Sequence, residues 1–264
     1  MSASVAPEAA VIERLRAAGC VFAEDEARLL IAAAPTPGDL AAMVDRRAAG
    51  VPLEYVLGWA EFCGLRVAVS PGVFVPRQRT RLMVREAVRL LEQRSAGPVV
   101  LDLCCGTGAV GLAVAAARLD VQLHASDVDP DAVRCARVNL GGRGQVYEGD
   151  LDAPLPTTLH GRVDVMLANV PYVPSDEISL MPAEARFHEH RVALDGGPDG
   201  LELLARVAAV APRWLTPGGS VLCETGERQA ARAVRIFERH RLRGRVVGSE
   251  ELAATVVVGT RPGG

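Results

Sequence analysis

The stretch from Val99 to Gly111 constrains the fold most. A strand-like run, Val99–Leu103, passes through Asp102-Leu-Cys-Cys-Gly106-Thr-Gly108-Ala-Val-Gly111 into a helical segment at 109–118. Gly106 and Gly108 allow a sharp turn and a close backbone approach to a ligand, presenting amides near a helix N-terminus. Strand, glycine turn and helix in that order open a parallel sheet covered by helices, with ligands at the carboxyl ends of the strands. The chain continues in the same rhythm. Strands are expected at 121–125, 145–148, 163–167, 220–223 and 256–259, with helices near 130–139, 200–211 and 228–240. The fold class is therefore α/β, with a mostly parallel sheet.

The first 58 residues follow a different period. Val11, Leu15 and Ala18 share one helical face that Gly19 can end, and Ala27, Leu30, Ile31 and Ala34 repeat the spacing after Glu24 and Asp25. A third helix is expected from Asp39 to Ala49, so residues 1–58 read as a small helical bundle. Between 59 and 79 the period becomes two. Phe62, Leu65, Val67 and Val69 read as one strand and Val73 to Val75 as its partner, with Pro71-Gly72 as the turn of a β-hairpin linker. Thr80 is expected to cap the next helix, and residues 80–264 form the α/β domain.

Composition excludes several chemistries. All 29 basic residues are arginine, so no Schiff-base lysine and no P-loop lysine exists. A net charge of −3 does not suit a nucleic-acid binder. The six cysteines have no CxxC spacing and read as buried thiols in a reducing compartment. There is no apolar run of membrane-spanning length, and Glu8 and Glu13 interrupt any signal-peptide pattern. A cytoplasmic protein is the expectation.

Asp127 ends the second strand of the sheet, 19 residues beyond Gly108, where a carboxylate can accept ribose hydroxyls. Gly106-x-Gly108-x-x-Gly111 also matches a dinucleotide fingerprint. The acid before the turn decides between ligands: Asp102 opposes a diphosphate and suits a cationic ligand such as the sulfonium of S-adenosylmethionine. A second loop, Asn169-Val170-Pro171-Tyr172, follows the fourth strand. An amide nitrogen is a poor nucleophile because its lone pair is delocalised. The side-chain oxygen of Asn169 and the carbonyl of Val170 can accept its two N–H groups and aim the lone pair at a methyl donor. Pro171 stiffens the loop, and Tyr172 offers a flat face to a planar amide or base.

Asp102-x-x-x-Gly106-x-Gly108 resembles the first motif of class I methyltransferases, and Asn169–Tyr172 resembles the Asn-Pro-Pro-Tyr signature of amino-methyltransferases. Pro52-Leu-Glu-Tyr-Val-Leu-Gly58, Val73-Phe-Val-Pro76-Arg77, Arg186-Phe-His-Glu189 and Ala193-Leu-Asp-Gly-Gly197-x-Asp-Gly200 narrow the likeness. Together they resemble the protein glutamine N5-methyltransferases that act on release factors, over nearly the whole chain. The resemblance implies a Rossmann-like class I methyltransferase fold and S-adenosyl-L-methionine as cofactor. It places Asp102, Cys104, Cys105, Gly106, Thr107, Gly108, Asp127, Asp150, Leu151 and Asn169 around that cofactor. Asn169, Val170, Pro171 and Tyr172 would grip the substrate glutamine, with the bundle and hairpin docking the protein substrate. That substrate would be the Gly-Gly-Gln loop of a peptide-chain release factor, bound by a monomer without nucleic acid, membrane or metal. Alternatives are another protein glutamine, an adenine or RNA amine, a nicotinamide oxidoreductase, and a binding protein without activity.

Several positions depart from the family pattern: Val170 and His190 stand where prolines are usual, and Glu251-Leu-Ala-Ala-Thr-Val lacks the usual basic pair. Cys104 stands where glycine is usual, and Arg79 and Arg81 stand where acids are usual. Three other features invite blander readings. His188-Glu189-His190 is expected in an exposed loop, the seven arginines from 228 to 245 on a solvated helix face, and Trp59 and Trp214 in the core.

Overall fold

The computed structural model describes residues 5–263; Met1 to Ser4 and Gly264 of the expected domains lie outside the described residues. Four helices come first: α1 (Val5–Ala17), α2 (Ala23–Ala33), α3 (Pro37–Ala48) and the short α4 (Leu53–Leu57). Their apolar faces meet in one cluster that includes Leu15, Ala27, Leu30, Val44 and Val56. Thr36 begins α3 by accepting from Asp39 N, with Pro37 in the first turn, where a missing N–H costs nothing.

The hairpin is shorter than its sequence suggests. Strands β1 (Trp59–Phe62) and β2 (Leu65–Ala68) pair antiparallel, Phe62 opposite Leu65, so the hairpin turn is Cys63-Gly64, while Pro71-Gly72 forms a separate turn closed by Val73 N donating to Ser70 O at 3.1 Å. Cys63 and Gly64 have positive φ, 53° and 77°, the geometry whose twist matches a two-residue hairpin. Residues 73–75 form no strand. Val73 and Val75 are buried, and the Tyr55 hydroxyl donates to the carbonyl of Val73 at 2.8 Å. Trp59 is only half-buried, beneath the guanidinium of Arg66 at 3.9 Å.

The remainder is a layered α/β domain: α5 (Arg81–Leu91), β3 (Val99–Leu103), α6 (Ala109–Ala117), β4 (Gln122–Asp127), α7 (Pro130–Leu140), β5 (Gly144–Glu148), β6 (Val163–Ala168), α8 (Ala183–His188), α9 (Glu202–Trp214), β7 (Leu215–Glu224), α10 (Glu227–Arg239), β8 (Arg243–Ser249) and β9 (Ala254–Thr260). The sheet order is β5-β4-β3-β6-β7-β9-β8, and β9 alone runs antiparallel to its neighbours. Residues alternate between two cores. Val100, Val165, Leu167 and Leu222 face α5 and α6, while Leu101, Leu103, Met166 and Val221 face α9 and α10. Every residue of β3 is buried, as a central parallel strand requires. Thr80 does not cap α5: it lies in helical conformation within a single 3-10 turn, and its buried hydroxyl has no partner. The arginine-rich segment is also mixed, since Arg243 and Arg245 belong to edge strand β8.

Tertiary pairs anchor the bundle and hairpin to this domain. Arg47 bridges buried Glu26 at 2.6 Å and Glu184, before the cavity-lining segment, at 2.7 Å. Asn139 on α7 exchanges two hydrogen bonds with the backbone of Ala68. Glu189 is buried rather than exposed, because it pairs with Arg77 at 2.6 Å and accepts from Val75 N.

Candidate active site

The sheet order reverses beside β3, because β4 and β5 lie to one side of it and β6 and β7 to the other. Ligands of open α/β sheets bind at such switch points. A cavity of about 360 Å³ opens there, along the carboxyl ends of β3, β4, β5 and β6. All of Asp102, Cys104, Cys105, Gly106, Thr107, Asp127, Asp150, Leu151 and Asn169 to Tyr172 line it. Gly108 does not; it begins α6 at φ 75°, packed against Leu140 and Ala136.

Part of the glycine turn is tied internally, while the amides of Thr107, Ala109 and Val110 have no partner among the described residues and belong to residues that line the cavity. Cys105 N donates to Ser126 O, Gly108 N to Cys105 O, Gly106 N to Asp127 Oδ2 and Gly111 N to Asp102 Oδ2. Gly111 must be glycine, because a Cβ there would lie 2.9 Å from both Asp102 Oδ2 and Leu123 Cδ1. At Gly106 a Cβ would meet nothing, so the backbone lies open to the cavity. Cys104 adopts φ 53°, the left-handed conformation that explains why glycine is usual here.

Two carboxylates enter this half of the cavity. Asp102 is 1% exposed, and burial pushes its pKa up to about 7. Burial likewise raises Asp127, whose two oxygens accept from Gly106 N and Asp129 N. Asp127 is not a helix cap, since Asp129 caps α7. Asp150 is exposed and pairs with Arg206 at 2.6 Å. Leu151 is buried with φ 47°, and its carbonyl accepts from Ser126 Oγ.

The facing wall is different in kind. Asn169 follows β6, and its Oδ1 is buried without a hydrogen-bond partner among the described residues. Tyr172 donates to Glu224 Oε1 at 2.8 Å, and burial with the Glu224 charge raises its pKa, keeping the phenol protonated. Backbone closeness explains the glycines of the 193–200 segment. A Cβ on Gly196 would lie 2.8 Å from Pro171 O and Tyr172 Cα, and one on Gly200 would strike Tyr172 O. Gln229 Nε2 then ties Tyr172 O to Asp199 O, at 3.0 Å each.

Glu224, Gln229 and Arg79 as a partner of Tyr172 were not legible as site residues, since each arrives from a distant strand or helix. His190 pairs with Asp129 at 2.7 Å rather than standing free, and Asp131 pairs with Arg134. Trp214 is buried in the core as expected, whereas Cys20, Cys63 and Cys104 are only partly buried.

Comparison with known proteins agrees with this geometry. Residues 64–199 match the family model described as "Methyltransferase small domain". A solved methyltransferase from Pyrococcus furiosus superposes with a TM-score of 0.56 at 16% identity, covering 83% of this chain and 99% of that one. The seven-stranded sheet with one reversed strand, its glycine turn and its acids thus define a class I methyltransferase. Two curated relatives are named "Release factor glutamine methyltransferase". That of Geobacter sulfurreducens is 37% identical, covering 77% of this chain and 72% of the relative. That of Mycolicibacterium smegmatis is 38% identical, covering 81% and 76%. The chain belongs to the release factor glutamine methyltransferase family.

Proposed function

We propose that this protein methylates the N5 nitrogen of a glutamine side chain, that of the Gly-Gly-Gln loop of a peptide-chain release factor, using S-adenosyl-L-methionine. The observation that carries the reading is the unpartnered, buried Oδ1 of Asn169 beside a cavity of sufficient size. A buried acceptor left unmade costs about 1–3 kcal/mol, so a substrate N–H that satisfies it gains binding and orientation together.

The other wall fits the cofactor. Its buried carboxylates, Asp102 and Asp127, oppose a diphosphate and suit a ligand with a cationic centre and ribose hydroxyls. Asp127 would hold the ribose, Asp102 would face the charged end across the glycine turn, and Leu151 and Asp150 would border the adenine. When bound, the cofactor supplies an electrophilic methyl group on a sulfonium. The chain itself supplies position. Asn169 Oδ1 and Val170 O accept the two N–H groups of the substrate amide, leaving its nitrogen lone pair directed along one line. Tyr172 and Pro171 hold the amide plane. The nitrogen sheds its proton after the new C–N bond forms, so no strong base is required.

A cytoplasmic enzyme is inferred, since release factors act where translation occurs; among the described residues no helix is long and apolar enough to cross a membrane. The test is to incubate the purified protein with cofactor and release factor and to sequence the Gly-Gly-Gln peptide by mass spectrometry. One added methyl on the glutamine is expected. Label on another protein from the host lysate, with the release factor unmodified, would transfer the chemistry to a different glutamine.

A further inference from the structure

Three chain segments meet at the rim of the Asn169–Tyr172 wall. Glu224, at the end of β7, is 2% exposed and does not line the cavity. Its Oε1 accepts both the Tyr172 hydroxyl at 2.8 Å and Arg79 Nε at 2.9 Å, while Oε2 is buried without a partner among the described residues. Arg79 lines the cavity, its guanidinium carbon 5.7 Å from the centre of the Tyr172 ring. Burial opposes the charge on Arg79, but Tyr172 and Glu224 more than offset this and raise its pKa.

We propose that Arg79 and Glu224 are a positioning pair for Tyr172, fixing its ring against the substrate glutamine; this rests on the methyl-transfer reading of the same site. An ionic acceptor below the phenol and a cation over its face leave the ring one orientation. Without Arg79, Glu224 would be a buried charge with a neutral partner only, which is costly. Without Glu224, the phenol would lose its acceptor and turn. The two residues come from segments 145 positions apart, so the ring also registers the α5 entrance against β7. Arg79 is therefore part of this site rather than a surface charge. It touches no reacting atom and acts through Tyr172.

A double-mutant cycle tests this on the full-length protein with release factor and cofactor. Arg79→Met and Tyr172→Phe should each lower kcat about tenfold, the size of one charge-assisted hydrogen bond, with unchanged cofactor affinity by calorimetry. In the Tyr172→Phe background, Arg79→Met should cost nothing further. Arg79→Lys should recover part of the kcat, because the charge returns without the fork. If the two losses multiply, Arg79 acts independently of Tyr172 and the proposal is wrong. If both variants instead raise KM alone, the pair contributes to docking and not to positioning. Absence of transfer by the unmodified protein would sink the methyl-transfer reading itself, an outcome distinct from either of these.

Discussion

The two walls of the cavity are built on opposite plans. On the glycine-turn wall, the amides of Gly106 and Gly111 are already joined to the carboxylates of Asp127 and Asp102. On the substrate wall, Asn169 presents an acceptor with nothing to accept, although the loop around it is tightly tied by Gly196, Gly200 and Gln229. The first wall shapes itself and then receives a ligand. The second fixes its backbone with internal bonds and leaves one side-chain acceptor unpartnered among the described residues, the atom proposed to meet the substrate. Preorganised placement of this kind is worth far more to a methyl transfer than any acid or base.

Experiments can break that contrast in order of expected size. Gly200→Ala puts a Cβ into Tyr172 O at a residue with φ 69°, pushing the substrate loop away. Turnover should fall on the order of a hundredfold, as for an ångström-scale misplacement, while calorimetric cofactor affinity stays within twofold. An equal loss of both would mean the walls are one unit. Asp127→Asn should do the reverse. Cofactor affinity should weaken about tenfold or more, the size of a charged hydrogen bond, with kcat at saturating cofactor largely kept.

Asp102 gives the cofactor wall a pH signature. Its pKa in the unliganded fold is about 7, well above the ordinary carboxylate value of 3.8, because burial disfavours its charge. As pH rises from about 4 to 7, the unfolded chain releases this proton first, so the unliganded protein should lose stability across that window. A cationic ligand favours the carboxylate, so cofactor affinity should rise from pH 6 to 8 with proton release on binding. Calorimetry in buffers of different ionisation enthalpy reads both. A flat profile would mean that Asp102 serves only α6.

Cys104→Gly should have the smallest effect. It relieves a left-handed residue, worth about 1 kcal/mol, so thermal unfolding should move by only a few degrees and activity should persist. A large loss of cofactor binding would show that the side chain itself matters.

Much of the cofactor wall was readable because its logic is local. Strand, glycines, helix and the acid at 127 follow one another within about thirty residues, and the loop at 169–172 ends a recognisable strand. Where sequence and structure part, pairing decides, locally in the hairpin and between distant segments elsewhere. Cys63-Gly64 is the hairpin turn, with Phe62 opposite Leu65, whereas Pro71-Gly72 forms a turn of its own, closed by Val73 N on Ser70 O, that leads into no strand. Strand β8 exists through its ladder with β9, from Arg243 opposite Thr260 to Ser249 opposite Ala254, and carries little apolar alternation of its own. Glu189 reads as a loop acid until Arg77 and Val75 are brought to it. Glu224 reads as the end of a strand until Tyr172 and Arg79 arrive.

The central claim is that the unpartnered amide oxygen of Asn169 is the acceptor for the substrate nitrogen. Single-turnover methyl transfer to the release-factor glutamine by Asn169→Ala, at saturating cofactor, tests it most directly. The account predicts a loss on the order of 10² to 10³ in rate, comparable to removing one hydrogen-bonding group that stabilises a transition state, with cofactor affinity nearly unchanged. Transfer at the unmodified protein's rate would contradict it.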